Sequence, residues 1–128
     1  MPQSLEDIVD AIVAKYPDYA PDAYFFMTQA LDASVKRFRK PDNNPHLSAE
    51  ELYLGFCAMA LEEYGPMASL VLEHWGITDS EDVGALVYNL IEFGVFGRRS
   101  GDRREQFRSL PPLRKLLDEP FVPTKKHA

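Results

Sequence analysis

The chain holds a single cysteine, Cys57, which excludes an internal disulfide and any cysteine-based zinc cluster and fits a reducing compartment. Glycines are few and scattered, so no glycine-rich loop is available to cradle a phosphate. The histidines His46, His74 and His127 fall in different segments with no His-x-x-x-His or Glu-x-x-His spacing, which argues against a metal site. Long apolar runs are missing too: the longest uncharged stretch, residues 52–61, is about half of what a membrane span needs. No basic leader precedes an apolar run at the N-terminus, and the expectation is a soluble cytoplasmic protein with no membrane partner.

The most informative absence is positive charge. Residues 41–97 contain no lysine or arginine against ten acidic side chains, namely Asp42, Glu50, Glu51, Glu62, Glu63, Glu73, Asp79, Glu81, Asp82 and Glu92. Residues 1–40 are close to neutral, and residues 98–128 carry nine basic groups against four acidic ones. The middle of the chain repels phosphate, and only the C-terminal part attracts it. At 128 residues and 45% hydrophobic, the chain is long and apolar enough to fold as one domain around one core.

Helix signals dominate. Ser4 caps a first helix with Asp7 at its third position, and Leu5, Ile8, Val9, Ile12, Val13 and Tyr16 recur at helical spacing until Pro17. A second helix follows Pro21, with Tyr24, Met27, Leu31, Val35 and Phe38 as its stripe, widened by Phe25 and Phe26. Its end carries Lys36, Arg37, Arg39 and Lys40, where the helix dipole favours cations. Residues 41–45 read as a polar linker.

Ser48 and Glu51 form a capping box for a third helix, with Leu47 able to staple onto Leu52. Residues 52–61 have no charge on any face, which predicts the most buried helix of the fold. Gly65 and Gly76 bracket a fourth helix over residues 66–75. A second box, Thr78 with Glu81, opens a fifth helix whose stripe is Val83, Leu86, Val87, Leu90 and Ile91, closed by Gly94 in a positive-φ conformation.

Beyond Gly94, Val95-Phe96 and Gln106-Phe107 flank a polar tip, and a short β-hairpin over residues 95–108 is expected. Pro111-Pro112 opens a last short helix with Leu113, Leu116 and Leu117. The predicted fold is mainly α, five or six helices with one C-terminal β-hairpin and a winged-helix-like core. Within a single domain of residues 1–128, residues 1–40 form a helical pair, 46–108 the core, and 109–128 a short helix and tail. Leu52, Phe56, Met59, Leu70, Trp75, Val83, Leu86, Val87 and Leu90 are the expected core.

Residues 66–107 resemble the winged helix-turn-helix domains of bacterial regulators in the helix, the Gly76-Ile77-Thr78-Asp79 turn, the helix over residues 80–93, and the tip followed by Asp102-Arg103-Arg104. The resemblance implies a later helix that enters the major groove and a basic wing on the backbone. Leu72 stands where a small residue is usual and Asp82 where an apolar one is usual, and the supposed reading helix offers only carboxylates and one asparagine. The blocks at residues 23–26, 46–55, 60–68, 71–76 and 81–96 are also similar to a small uncharacterised family associated with Planctomycetes and Verrucomicrobia. That resemblance implies a bacterial cytoplasmic protein and carries no catalytic or binding residue with it.

No constellation for catalysis emerges. Asp79, Glu81 and Asp82 lack the spacing and glycine of a calcium loop, Ser48 and Ser80 read as helix-start residues, and Cys57 reads as packing. The sequence therefore predicts a non-enzymatic protein-binding or adaptor module without cofactor, acting through the acidic face of the fifth helix at Glu81, Asp82, Asn89 and Glu92. The alternative is a nucleic-acid-associated protein that uses Arg98, Arg99, Arg103, Arg104 and Arg108 of the basic hairpin.

Overall fold

A computed structural model describes residues 4–38, 48–96 and 104–121. Six α-helices appear among them: α1 (Leu5–Lys15), α2 (Pro21–Arg37), α3 (Ala49–Tyr64), α4 (Ala68–His74), α5 (Ser80–Glu92) and α6 (Leu113–Asp118). Short 3-10 turns at Gly65–Met67, Arg104–Ser109 and Glu119–Phe121 connect or extend them.

The helix starts follow from local hydrogen bonding. The Asp7 backbone N–H donates to Ser4 Oγ at 3.2 Å, and at α3 the Glu51 N–H donates to Ser48 Oγ at 3.1 Å while the Ser48 N–H donates back to Glu51 Oε1 at 3.0 Å. These bonds satisfy donors that a helix N-terminus leaves open. Leu47, the expected staple, lies outside the described residues. At α5 the cap is Asp79 and its partner Asp82, one residue beyond the Thr78–Glu81 pair that the sequence suggested. Asp82 wins because its Oδ2 accepts from the Thr78 N–H, the Thr78 hydroxyl and the Asp79 N–H together.

Helices α2 and α3 make the most extensive pairing in the molecule, with α1 and α5 against α2 and with α6 against α3 and α4. The buried face of α2 is Ala23, Tyr24, Phe26, Met27, Ala30 and Ser34, with Leu31, Val35 and Phe38 only half buried. Phe26 sits in an aromatic cluster, its ring centroid 5.3 Å from Phe56, 5.5 Å from Trp75 and 5.9 Å from Tyr64. Val9 and Ile12 of α1, Leu52, Tyr53 and Phe56 of α3, and Val83, Leu86, Val87 and Leu90 of α5 complete the core.

Two expected core residues fall elsewhere. Leu70 is 57% exposed, and Met59 is only partly buried. The fourth helix opens as a 3-10 turn and becomes α-helical at Ala68; Ala68 and Leu72 lie one turn apart on its buried face, and Leu70, two residues from each and so on the opposite side, faces outward.

The C-terminal β-hairpin is not observed: the described residues contain no β-strand. Val95 and Phe96 follow α5 without strand pairing, and Arg104–Ser109 forms a 3-10 turn packed on α5 and α3. The cause is Phe107. Its ring is fully buried over Gly84, where a Cβ would lie 2.9 Å from Phe107 Cγ, and that anchor pulls the segment onto the helix rather than into a ribbon. The winged-helix description falls with the hairpin. Residues 97–103, the expected tip, lie outside the described residues.

Candidate functional site

The acidic face of α5, the first candidate, is bound into the fold. Asp82 Oδ1 accepts from the Tyr19 hydroxyl at 2.6 Å, tying the turn between α1 and α2 to the start of α5. Burial and the Asp82 carboxylate raise the Tyr19 phenol well above its ordinary value, so it stays a donor. At the other end of α5, Glu92 accepts from Tyr16 Oη at 2.6 Å and pairs with Lys15. Those hydrogen bonds from Lys15 and Tyr16 lower the Glu92 pKa, and the Lys15 pKa is raised by the same carboxylate. Asn89 Nδ2 donates to Tyr24 Oη at 3.0 Å. Glu81 pairs with Arg108 Nε at 3.2 Å, with both side chains more than half exposed.

All four residues of the acidic patch thus carry bonds within the chain, and a ligand taken there exchanges an internal bond for an external one. Of the arginines in the alternative reading, Arg98, Arg99 and Arg103 lie outside the described residues, and Arg104 is described in its backbone alone, at the start of the 3-10 turn. Arg108 is spent on Glu81. The structure therefore does not gather the arginines into a described cluster.

A second surface has no such commitments. The outward side of α3 forms the floor of a groove walled by the end of α2 on one flank and by α6 on the other. One depression of about 250 Å³ is lined by Phe38, Leu54, Cys57, Leu61 and Leu116, together with Arg37 and Ala58. A neighbouring depression of about 220 Å³ shares Arg37 and Ala58 and continues past Ser34, Gly55 and Met59 to Glu62. Leu54 is 36% exposed. Glu50, one turn before Leu54 on the same face, and Glu62 are exposed, and neither they nor Arg37 form an ion pair among the described residues.

The chemistry of this groove is apolar with charges at its margins. Cys57 lies at its floor, 3% exposed, and burial pushes its thiol up to about 12, so it serves as a packing group and not a nucleophile. No group of three or more His, Cys, Asp or Glu able to hold a metal ion occurs among the described residues. No helix among them is long and apolar enough to cross a membrane.

Sequence reasoning missed the groove because its lining comes from three separate helices, the consecutive α2 and α3 and the distant α6, which share a wall only once packed. The available signal was the middle of α3, residues 52–61, which carries no charge on any face and which a small fold cannot cover on every face. Comparisons with protein-family models, with curated proteins and with solved structures found no match.

Proposed function

We propose that this chain is a protein-binding module whose docking surface is the outward face of α3, between the end of α2 and α6. The observation that carries the reading is the partly exposed Leu54 within an apolar groove whose marginal charges, Arg37, Glu50 and Glu62, are unpaired among the described residues. A helix with no charge between residues 52 and 61 is built for burial on all sides, and a partner completes that burial. The acidic character of the middle segment favours protein over nucleic acid at this face, because phosphate is repelled by the carboxylates of α3. The single free cysteine supports a cytoplasmic site of action.

A photo-reactive phenylalanine analogue placed at position 54 of the full chain, and at exposed position 73 as a control, tests the reading. The expected result in cells is a discrete protein adduct at position 54, resistant to nuclease and missing from position 73. Labelling of nucleic acid at position 54, or no adduct beyond the position 73 background, overturns it.

A further inference from the structure

Resting on the docking reading above, we infer that the occupant of the α3 groove is a short amphipathic α-helix of another protein, with basic side chains at both ends of its apolar stripe. The shape points to a helix. Glu50, Leu54, Ala58, Leu61 and Glu62 recur along one side of α3, and the run from Glu50 to Glu62 spans about 18 Å at the rise of an α-helix. That length accommodates about three turns of a partner helix laid in the groove, with its apolar residues at i, i+4 and i+7 meeting the Leu54–Leu61–Leu116 depression. Ala58 on the floor is small and only partly buried, so a partner backbone can approach closely there before side chains collide.

Charge decides between occupants. The apolar strip of α3 is bracketed by Glu50 at one end and Glu62 at the other, both exposed. A second copy of this chain docked through α3 meets like charges in either orientation. A two-fold axis along the helix sets Glu50 against Glu50 and Glu62 against Glu62, and one perpendicular to it sets Glu50 against Glu62 at both ends. A helix with Lys or Arg at both ends replaces that repulsion with attraction, and an acidic residue on its α2 side meets Arg37.

The test uses two synthetic helical peptides of about 14 residues sharing one leucine stripe. One has lysines at both ends and the other has glutamates, and each is titrated against the full-length chain by fluorescence anisotropy. The lysine peptide is expected to bind at least about tenfold more tightly than the glutamate peptide. Joint reversal of Glu50→Lys and Glu62→Lys should invert that preference, and Leu54→Glu should abolish binding of the lysine peptide. Leu54 is at the surface, so retained helicity by circular dichroism confirms that the variant is folded.

Equal affinity for the two peptides, or binding indifferent to Leu54→Glu or to the double reversal, overturns the inference. So does a dimer by sedimentation that Leu54→Glu dissociates, because the occupant is then a second copy. If the lysine peptide fails while a protein adduct forms at position 54, the docking reading stands and the basic helix falls. Loss of both results removes the two together.

Discussion

The ring of Phe107 fills the space that a side chain at position 84 would need, with Phe107 Cγ 2.9 Å from where a Gly84 Cβ would stand. This contact fastens a turn more than twenty residues away in sequence to the middle of α5. Phe107→Ala should cost about 3–5 kcal/mol. Gly84→Ala should be net destabilising in the wild-type background, because overpacking of about 1–3 kcal/mol outweighs a propensity gain of about 1 kcal/mol. In the Phe107→Ala background the clash is gone and Gly84→Ala should become stabilising, a sign change that urea denaturation of all four species reads directly. Stabilisation by Gly84→Ala in the wild type would place Phe107 elsewhere.

Gly94 adopts φ +79° after α5, the conformation expected of the residue that ends that helix, and beyond its chain neighbours no atom of the described residues lies within 4 Å of a Cβ built there. Substitution costs therefore come from backbone strain alone. Gly94→Ala should destabilise by about 1–2 kcal/mol. Gly94→Val should cost at least as much as Ala, and Gly94→Asn less, since asparagine tolerates the left-handed region. Equal midpoints for all three in thermal unfolding would remove strain as the cause.

Ser34 is fully buried on α2 where it crosses Gly55 of α3, and its hydroxyl has no hydrogen-bond partner among the described residues. Gly55 leaves no side chain to collide with it. An unsatisfied buried hydroxyl is destabilising, so Ser34→Ala should raise stability by up to about 1–2 kcal/mol, seen as a higher urea midpoint at unchanged slope. A loss of stability would mean that the hydroxyl is satisfied in solution.

The parts of the fold legible in the sequence are those set by neighbours in the chain. The Ser4 and Ser48 caps, the α5 stripe of Val83, Leu86, Val87 and Leu90, and the turn at Gly94 need only a few adjacent residues, and each is found as expected. Where two local solutions compete, sequence alone does not choose: Thr78 and Asp79 both offer a cap, and the three bonds into Asp82 Oδ2 decide. Leu70 faces outward because Ala68 and Leu72, each two residues from it, take the buried side of α4, and which side of so short a helix is buried is set by packing. Phe96 and Phe107 looked like strand residues, but their burial against helices is a tertiary fact. The groove is invisible to periodicity, since Phe38, Leu54 and Leu116 share a wall only after α2, α3 and α6 have packed.

Acid should loosen the junction between α1 and α5. Glu92 has a pKa lowered by hydrogen bonds from Lys15 and Tyr16. A carboxylate with a depressed folded pKa contributes stability that is present above its ordinary value of 4.5 and is lost as pH falls through the lower folded value. Lys15, raised above 10.5, works in the other direction: its contribution is present below that value and is lost as pH rises through the higher folded one. The melting temperatures of wild type and Glu92→Gln should therefore differ at neutral pH and converge in acid below the ordinary glutamate range. A constant gap down to the most acid pH would assign the difference to packing.

Cys57 offers a readout of opening at the groove floor. With its thiol pushed up to about 12, roughly one molecule in ten thousand carries the reactive thiolate at pH 8 in the folded state. Labelling by an aromatic disulfide reagent should then proceed through opened molecules in which the thiol regains an ordinary pKa. Low concentrations of urea, well short of the unfolding midpoint, should accelerate labelling in proportion to the shift in folding equilibrium. Leu86→Ala, which empties a fully buried site on α5 and should cost about 2–5 kcal/mol, should accelerate it without urea by raising the open population. Labelling that is fast at once and indifferent both to urea and to Leu86→Ala would show reagent reaching Cys57 directly through the groove, with the thiol less enclosed than its 3% exposure implies.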